Sequence, residues 1–218
     1  MTDSSEPRTI DQVIRDRKTL KTLSETPLPI DQDDLPIDEL ISAAAWAPFH
    51  KPAHSSHKST DLSGVEPWRC YILDAAQCRH LREHLLQLGD KTKIPKMLAV
   101  SSFLIQFTWL PTPDASAISG QAFAPTLGNV ENIAAASAAI QNMLLAATSR
   151  EIPNYWSSGG ALRTPEIFEY LGISKCEQLL GSIFLFPRNV DFEQSSPGAL
   201  RDKRSNPSQW SRKVILSD

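Results

Sequence analysis

The chain has 218 residues, a length that fits one large domain and is marginal for two. Hydrophobic residues make up 41 % of it and charged residues 22 %, which is the balance of a globular protein with a sizeable core. Its formal net charge of −3 argues against nucleic acid as a partner, because proteins that bind phosphate backbones usually carry net positive charge.

The sequence also shows no signal for a membrane or for export. No apolar run approaches the roughly 18 residues of a membrane span, and the polar, acidic residues 1–6 do not resemble a secretory signal. The three cysteines are scattered with no Cys-x-x-Cys pair, so neither a zinc site nor a disulfide framework is expected. We therefore predict a cytoplasmic protein with no membrane partner and no bound metal.

The first predicted helix ends in a cluster of basic residues. It runs from Ile10 to about Lys18, and Thr9 with Gln12 forms a capping box at its start. The segment Arg17-Lys18-Thr19-Leu20-Lys21 then places three cations and a hydroxyl within five residues. These donors suit a phosphate group, because Arg and Lys supply charged hydrogen-bond donors. The other interpretation is a solvated basic helix end that interacts favourably with the helix dipole.

A second helix and a long polar loop follow. The apolar pattern predicts a helix from Asp38 to Ala47, which Pro48 ends. Residues 51–66 are rich in Ser, His, Lys and Pro and are predicted to form a long loop.

The middle of the chain alternates between strands and helices. Strands are predicted at 68–73 and 98–107, and between them a helix over 75–88 is capped by Asp74. Residues 110–128 contain Pro and Gly and are predicted to form a loop.

An Ala-rich helix is predicted over 129–149, with Asn129 as its cap. It is small and apolar nearly all round, so it is expected to be buried on several sides, inside the domain or across a dimer interface. The residues predicted for that interface are Ala136, Ala139 and Ile140.

The last third of the chain completes a mixed pattern. A short strand is predicted at Tyr155-Trp156, a helix over 165–171 with Pro at its first position, and a core strand over 179–186. The tail, 187–218, is polar and in places basic. Because helices and strands mix along one chain, we predict the α+β class and a single domain over 1–218.

Five segments together give the chain a resemblance to the FMN-dependent nitroreductase family. Their order is a basic motif, an Ala-x-Ala-Pro turn, a Pro-Trp step into a strand, an Ala-rich helix and a Trp-x-Ser-Gly turn. The segments are Arg17-Lys18-Thr19-Leu20-Lys21, Ala45-Trp46-Ala47-Pro48, Glu66-Pro67-Trp68, Gln141-Asn142-Met143-Leu144-Leu145-Ala146-Ala147 and Trp156-Ser157-Ser158-Gly159. The likeness covers about residues 9–215 and is most similar to the short, minimal branch of the family.

The resemblance implies both a fold and an activity. The fold is a central, mostly antiparallel β-sheet flanked by helices, in an intertwined homodimer with FMN at the interface. The activity is that of a flavoprotein oxidoreductase, which reduces small electron-poor acceptors such as nitroaromatics and quinones with NADH or NADPH as donor. A nicotinamide cofactor gives hydride to flavin N5 and leaves, and the acceptor then enters the same pocket. No side-chain base is required, so no catalytic residue is assigned.

The resemblance also assigns cofactor-binding residues by position. The basic motif holds the FMN phosphate and ribityl chain in the family, which maps to Arg17, Lys18, Thr19 and Lys21. A basic residue in the tail often joins it, for which Arg204 is the best match, with Lys203 beside it. The turn after the second helix lies against the flavin of the partner subunit, which maps to Trp46 and His50. The turn after the Ala-rich helix lies beside the flavin ring, which maps to Trp156, Ser157 and Ser158.

The chain also departs from the family pattern. Thr19 replaces the usual Ser and keeps the hydroxyl, whereas Lys21 replaces the usual Arg and loses its planar fork. The loop between the second helix and the Pro-Trp step is longer than usual. The usual Gly-Leu-Gly after the Ala-rich helix is Arg150-Glu151-Ile152-Pro153, a change that bears on nicotinamide binding more than on FMN binding.

Two other functions therefore stay open. One is a flavoenzyme that oxidises a metabolite or a peptide-borne ring and passes the electrons to another carrier. The other is a flavin-binding carrier or regulatory protein without turnover. Trp68 and Trp156 also fit as core aromatics, and Lys203-Arg204 fits as a solvated tail.

Overall fold

The computed structural model describes residues 8–30, 35–58, 62–113, 123–189 and 195–216. The helices within these ranges are α1 (Ile10–Asp16), α2 (Ile37–Ala45), α3 (Ala75–Gln87), α4 (Ile94–Leu98), α5 (Leu127–Ser149) and α6 (Pro165–Tyr170). The strands are β1 (Leu20–Thr22), β2 (Trp68–Asp74), β3 (Phe103–Trp109), β4 (Asn154–Ser157), β5 (Gln178–Leu185) and β6 (Ser195–Pro197). None of the described helices is both long enough and apolar enough to cross a membrane.

The strands form one central sheet and one small sheet. The central sheet has the order β2-β3-β5-β4, and every neighbouring pair in it is antiparallel. The small sheet pairs β1 with β6, with Lys21 opposite Ser196. The prediction of a central, mostly antiparallel sheet is confirmed.

Helices cover both faces of the central sheet. Alternate strand residues point to opposite sides of a sheet, so each face has its own set of core side chains. Ile105 and Ile183 belong to the core that α5 and α2 cover. Leu104 and Phe184 belong to the core that α3, α4 and α6 cover. The sheet is therefore flanked by helices, as predicted, and α5 is its principal helix on one face.

Local capping signals in the sequence are confirmed. Thr9 and Gln12 form the capping box of α1, and Asp74 with Gln77 forms that of α3. Pro165 is the first residue of α6. A backbone N–H at that position has no partner within the helix, so proline loses nothing by lacking one.

Two element predictions were wrong in detail. Leu98 is the last residue of α4 and does not start a strand; a continuous apolar run concealed a short helix followed by β3. The cap of α5 is Thr126, whose side chain accepts from the Asn129 N–H. Asn129 instead lies inside the helix and fastens the preceding loop, since its side chain bonds Ala124 and Thr112.

The prediction that three residues of α5 lie at a dimer interface is also corrected by the structure. Ala136, Ala139 and Ile140 are completely buried within their own chain, against the central sheet and α2. They cannot contact a partner, because nothing of their surface remains exposed. The face of α5 that stays open instead carries Leu127, which is 74 % exposed, and Val130, which is 56 % exposed.

The predicted loop over 51–66 is fastened to the domain by Arg69, which is buried in β2. Its guanidinium donates to the carbonyl oxygens of five residues: His57, Leu62, Gly64, Glu66 and Trp68.

Residues 59–61 of this loop lie outside the described part of the chain, as do 114–122 of the predicted 110–128 loop and 190–194 of the tail. Trp68 is buried, which agrees with its interpretation as a core aromatic.

Candidate functional site

The basic motif spans the end of α1 and the start of β1. Arg17 is the C-cap of α1, and its backbone N–H donates to the Val13 carbonyl at 2.9 Å. Three residues later the chain enters β1, whose central residue is Lys21. The motif therefore lies at a helix-to-strand corner that the short β1–β6 pairing fixes in place.

Three arginines lie near one another at this corner, close enough for their charges to interact. Burial lowers the pKa of Arg17 from its ordinary value, and the positive charges of Arg204 and Arg201 lower it further. None of the three is paired with a carboxylate among the residues that the structure describes. Like charges held together without an opposing charge are unfavourable, so the arrangement suits a bound anion.

A groove of about 640 Å³ opens beside this cluster. Its walls are the end of α1, the start of β1, the segment between α5 and β4, and Arg201 of the tail. The lining residues are Arg8, Asp16, Lys18, Leu20, Thr148, Glu151, Ile152, Pro153, Asn154, Arg188, Asn189 and Arg201. Cations outnumber acids in this list, so the groove favours an anionic ligand.

Asn154 gives the groove an open acceptor. Its side-chain nitrogen donates to the Ile152 carbonyl at 3.0 Å, whereas its Oδ1 is buried without a hydrogen-bond partner. A buried polar atom normally has a partner, and a hydroxyl on a ligand in the groove would supply one.

The altered segment after α5 forms the rim of the groove. Glu151 has a φ of 60°, in the left-handed region that favours glycine. Its carboxylate pairs with Arg8, whose guanidinium also donates to the Thr148 carbonyl at 3.3 Å. The pair neutralises an acid that would otherwise repel an anion in the groove.

The turn after β4 is held by Arg163. This side chain donates to the carbonyls of Ser158 and Leu179, the second at 2.5 Å, and burial lowers its pKa. Ser157 is buried, and its hydroxyl accepts from the Gly159 N–H at 3.1 Å. Gly159 has a φ of 104°, so the turn requires glycine at this position.

Trp156 packs largely against its own chain. A Cβ built on Gly181 of β5 would lie 2.0 Å from the indole Nε1, so the ring covers that glycine. The half-buried ring also packs against the core below α5. The core interpretation of Trp156 is thus supported, and a flavin contact by its exposed part stays a prediction.

The structure brings some assigned residues together and leaves others apart. Arg17 and Arg204 meet, and Lys18 lines the groove. Thr19 is half-buried at the corner, and Lys203 is exposed in the tail. The residues after α2 lie on the surface, with Trp46 85 % exposed and His50 also exposed. Neither residue lines the groove.

Sequence reasoning missed three residues of this site: Arg201, Asn154 and Arg163. Arg201 stands three residues before Arg204 and could have been found from the basic tail; the other two carry no sequence signal.

Among the described residues, no three His, Cys, Asp or Glu side chains come together as a metal site.

The fold and the groove together define an α+β protein with an anion-binding corner beside an antiparallel sheet. A model of the nitroreductase family matches residues 14–185, which is well over half of the sequence. The chain therefore belongs to the nitroreductase family, which places it among the oxidoreductases. No curated protein matches the sequence at a significant level.

Solved structures with a similar fold are distant in sequence. A nitroreductase-like family protein from Bacillus cereus has 20 % identity and a TM-score of 0.58 over 93 % of this chain and 97 % of its own. A protein from Desulfovibrio desulfuricans, described as a nitroreductase in complex with FMN, has 17 % identity and a TM-score of 0.59 over 98 % and 100 %. A protein from Parabacteroides distasonis is described as an NADH dehydrogenase or NAD(P)H nitroreductase. It has 18 % sequence identity and a TM-score of 0.55, over 95 % of this chain and 99 % of its own. At these identities the likeness shows the fold alone.

Proposed function

We propose that the protein is an FMN-dependent oxidoreductase that takes electrons from NADH or NADPH and reduces small electron-poor acceptors. The observation that carries the proposal is the cluster of Arg17, Arg201 and Arg204, without a carboxylate partner among the described residues. The FMN of the Desulfovibrio relative and the NAD(P)H activity named for the Parabacteroides relative support it.

The residues of the groove fit FMN on their own chemistry. Lys18 in the groove wall, with Arg17 and Arg204 beside the groove, would supply charged donors for the phosphate, and the Asn154 Oδ1 would accept from a ribityl hydroxyl. β4 continues from Asn154 towards the turn at 157–160, where the flavin ring would lie. Lys21 and Thr19 complete the phosphate end of the site.

FMN supplies the redox chemistry, since its ring accepts a hydride and passes electrons on to an acceptor. The protein's share is binding and orientation. The arginines fix the phosphate end, Asn154 orients the ribityl chain, and Arg163 holds the turn that faces the ring in a single conformation.

We further propose that the working form is a homodimer. Apolar side chains that one chain leaves exposed need cover, and they lie on α1, at the end of α2, on α5 and in the tail. These side chains are Ile10, Ile14, Trp46, Leu127, Val130, Trp210, Val214, Ile215 and Leu216. In this arrangement Trp46 and His50 of one subunit would complete the flavin pocket of the other.

The test is anaerobic reduction of the flavin-loaded protein by NADH and by NADPH. Rapid bleaching of the flavin absorbance, followed by reoxidation with a quinone or a nitroaromatic compound, is the expected result. Binding of FMN without bleaching by either donor would overturn the reductase proposal and leave the site itself intact.

One observation favours a second candidate. The segment Glu151-Ile152-Pro153, with its ion pair to Arg8, lines the groove and departs from the Gly-Leu-Gly that the family resemblance leads us to expect there. This favours a flavoenzyme that oxidises a metabolite or a peptide-borne ring, or a flavin carrier without turnover. Bleaching by a candidate substrate but not by NADH or NADPH identifies the first, and no bleaching by any donor identifies the second.

A further inference from the structure

The end of α1 is capped by a side chain from the far end of the chain. The last carbonyls of a helix have no intrahelical partners and carry the negative end of its dipole. Arg201 donates to three of them, to Arg15 and Arg17 at 3.0 Å each and to Asp16 at 3.3 Å. One guanidinium thus fixes the backbone of the residues that lead into the basic motif.

The tail reaches this position through β6. Thr22 pairs with Ser195, and their hydroxyls lie 2.7 Å apart. The Gly198 N–H then donates to the Thr19 carbonyl at 3.0 Å, and the Arg201 N–H donates to the Gly198 carbonyl at 3.1 Å. Arg201 is therefore held on a short turn that is itself bonded to the basic motif.

We infer that Arg201 is a positioning residue for the phosphate end of the site: by holding the carbonyls at the end of α1, it aims Arg17 at the phosphate. The inference rests on the proposed function for the identity of the anion. It goes beyond that function because it gives Arg201, besides its place in the groove wall, a separate role on the protein backbone at the end of α1.

A guanidinium holds several neighbouring carbonyls in a more fixed geometry than an ammonium does. The planar fork of Arg spans neighbouring carbonyls with several fixed N–H donors, whereas Lys offers one compact charge on a flexible stem. Arg201→Lys keeps the positive charge near the groove and removes the fork. A residue that acted only by its charge would tolerate this change, and a positioning residue will not.

The experiment compares the apoprotein with its Arg201→Lys and Arg201→Gln variants, and with Arg212→Gln as the control, since Arg212 is exposed in the same tail. Affinity is measured for FMN and for riboflavin, which lacks the phosphate. We expect both Arg201 variants to bind FMN about 10-fold more weakly, with riboflavin affinity and thermal midpoint unchanged. In an Arg17→Ala background, the Arg201 variants should cause no further loss.

Amide hydrogen exchange of residues 13–21 gives a readout that needs no flavin. Exchange there should be several-fold faster in both Arg201 variants and unchanged in Arg212→Gln. Normal FMN affinity in Arg201→Lys, equal losses for FMN and riboflavin, or unchanged exchange would each overturn the inference. If the unmodified protein binds no FMN, the proposed function fails, and the exchange rates alone decide the role of Arg201.

Discussion

The ammonium of Lys21 lies 5.1 Å from the centroid of the Tyr155 ring. This cation–π contact joins the centre of β1 to β4, the strand that leads from the groove to the turn at 157–160. The phosphate end of the proposed site and its ring end are therefore parts of one packed unit.

We expect the purified protein to contain about one FMN per chain, because the arginine cluster and Asn154 together match a phosphorylated polyol. The measurement is chromatography of the cofactor released on denaturation, together with protein quantification. Release of FAD, or failure of the apoprotein to take up excess FMN, would contradict the expectation.

Arg17→Ala should weaken FMN binding by about 10- to 150-fold, the value of a charge-assisted contact of roughly 1.5–3 kcal/mol. Fluorescence titration of the apoprotein measures it, and Arg212→Ala is the matched control. Arg79, which its sequence position suggested as a solvent-exposed control, is unsuitable. It is half-buried and donates to the carbonyls of Leu98 and Ser101. Equal affinities for the Arg17 and Arg212 variants would place the phosphate elsewhere.

Gly159→Ala should destabilise the protein by about 1–3 kcal/mol. The backbone there has a φ of 104°, and an added Cβ would meet the Leu179 side chain at 2.6 Å. Gly128→Ala is the control, because that residue lies in α5 with open space around it. Urea unfolding should show a lower midpoint for the first variant alone, and equal midpoints would mean that the turn has another conformation.

Leu127→Glu should convert the proposed dimer to a monomer, because it places a charge on the exposed apolar face of α5. An obligate dimer interface of this class buries more than about 2,000 Å². Sedimentation velocity at micromolar concentration measures the mass, with Leu88→Glu at the end of α3 as the control. A Leu127→Glu dimer would exclude this face, and a monomeric unmodified protein with bound FMN would exclude the dimer itself.

Mixing two inactive variants tests whether the site is shared. One carries Arg17→Ala, and the other carries Trp46→Ala with His50→Ala. If Trp46 and His50 serve the partner's flavin, the heterodimer has one intact site and recovers part of the activity. If each site is built from one chain, mixing restores nothing, and the exposed Trp46 needs another explanation.

Local signals were sufficient for much of the fold. Thr9, Asp74 and Pro165 marked helix starts because capping depends on neighbouring residues alone. The strands β1 and β6 were missed because three residues are too few for a hydrophobic pattern. Their pairing depends on residues far apart in the chain.

The site residues that belong to a sequence motif could be predicted, whereas those that depend on packing in the folded protein could not. Arg17 and Lys18 stood out because three cations occur within five residues. Asn154 did not, since an unpartnered oxygen is a property of the folded groove. The Ala-rich helix shows the same limit: its composition predicted burial correctly, but it could not tell whether Ala136 faces its own sheet or a partner.

The pairing of β1 with β6 also affects how the protein is made. Leu20 is synthesised well before its partner Pro197 and the capping Arg201. The anion-binding corner therefore depends on closing a long loop between β1 and β6, which costs conformational entropy. A chain interrupted before β6 could build the central sheet without a finished phosphate site.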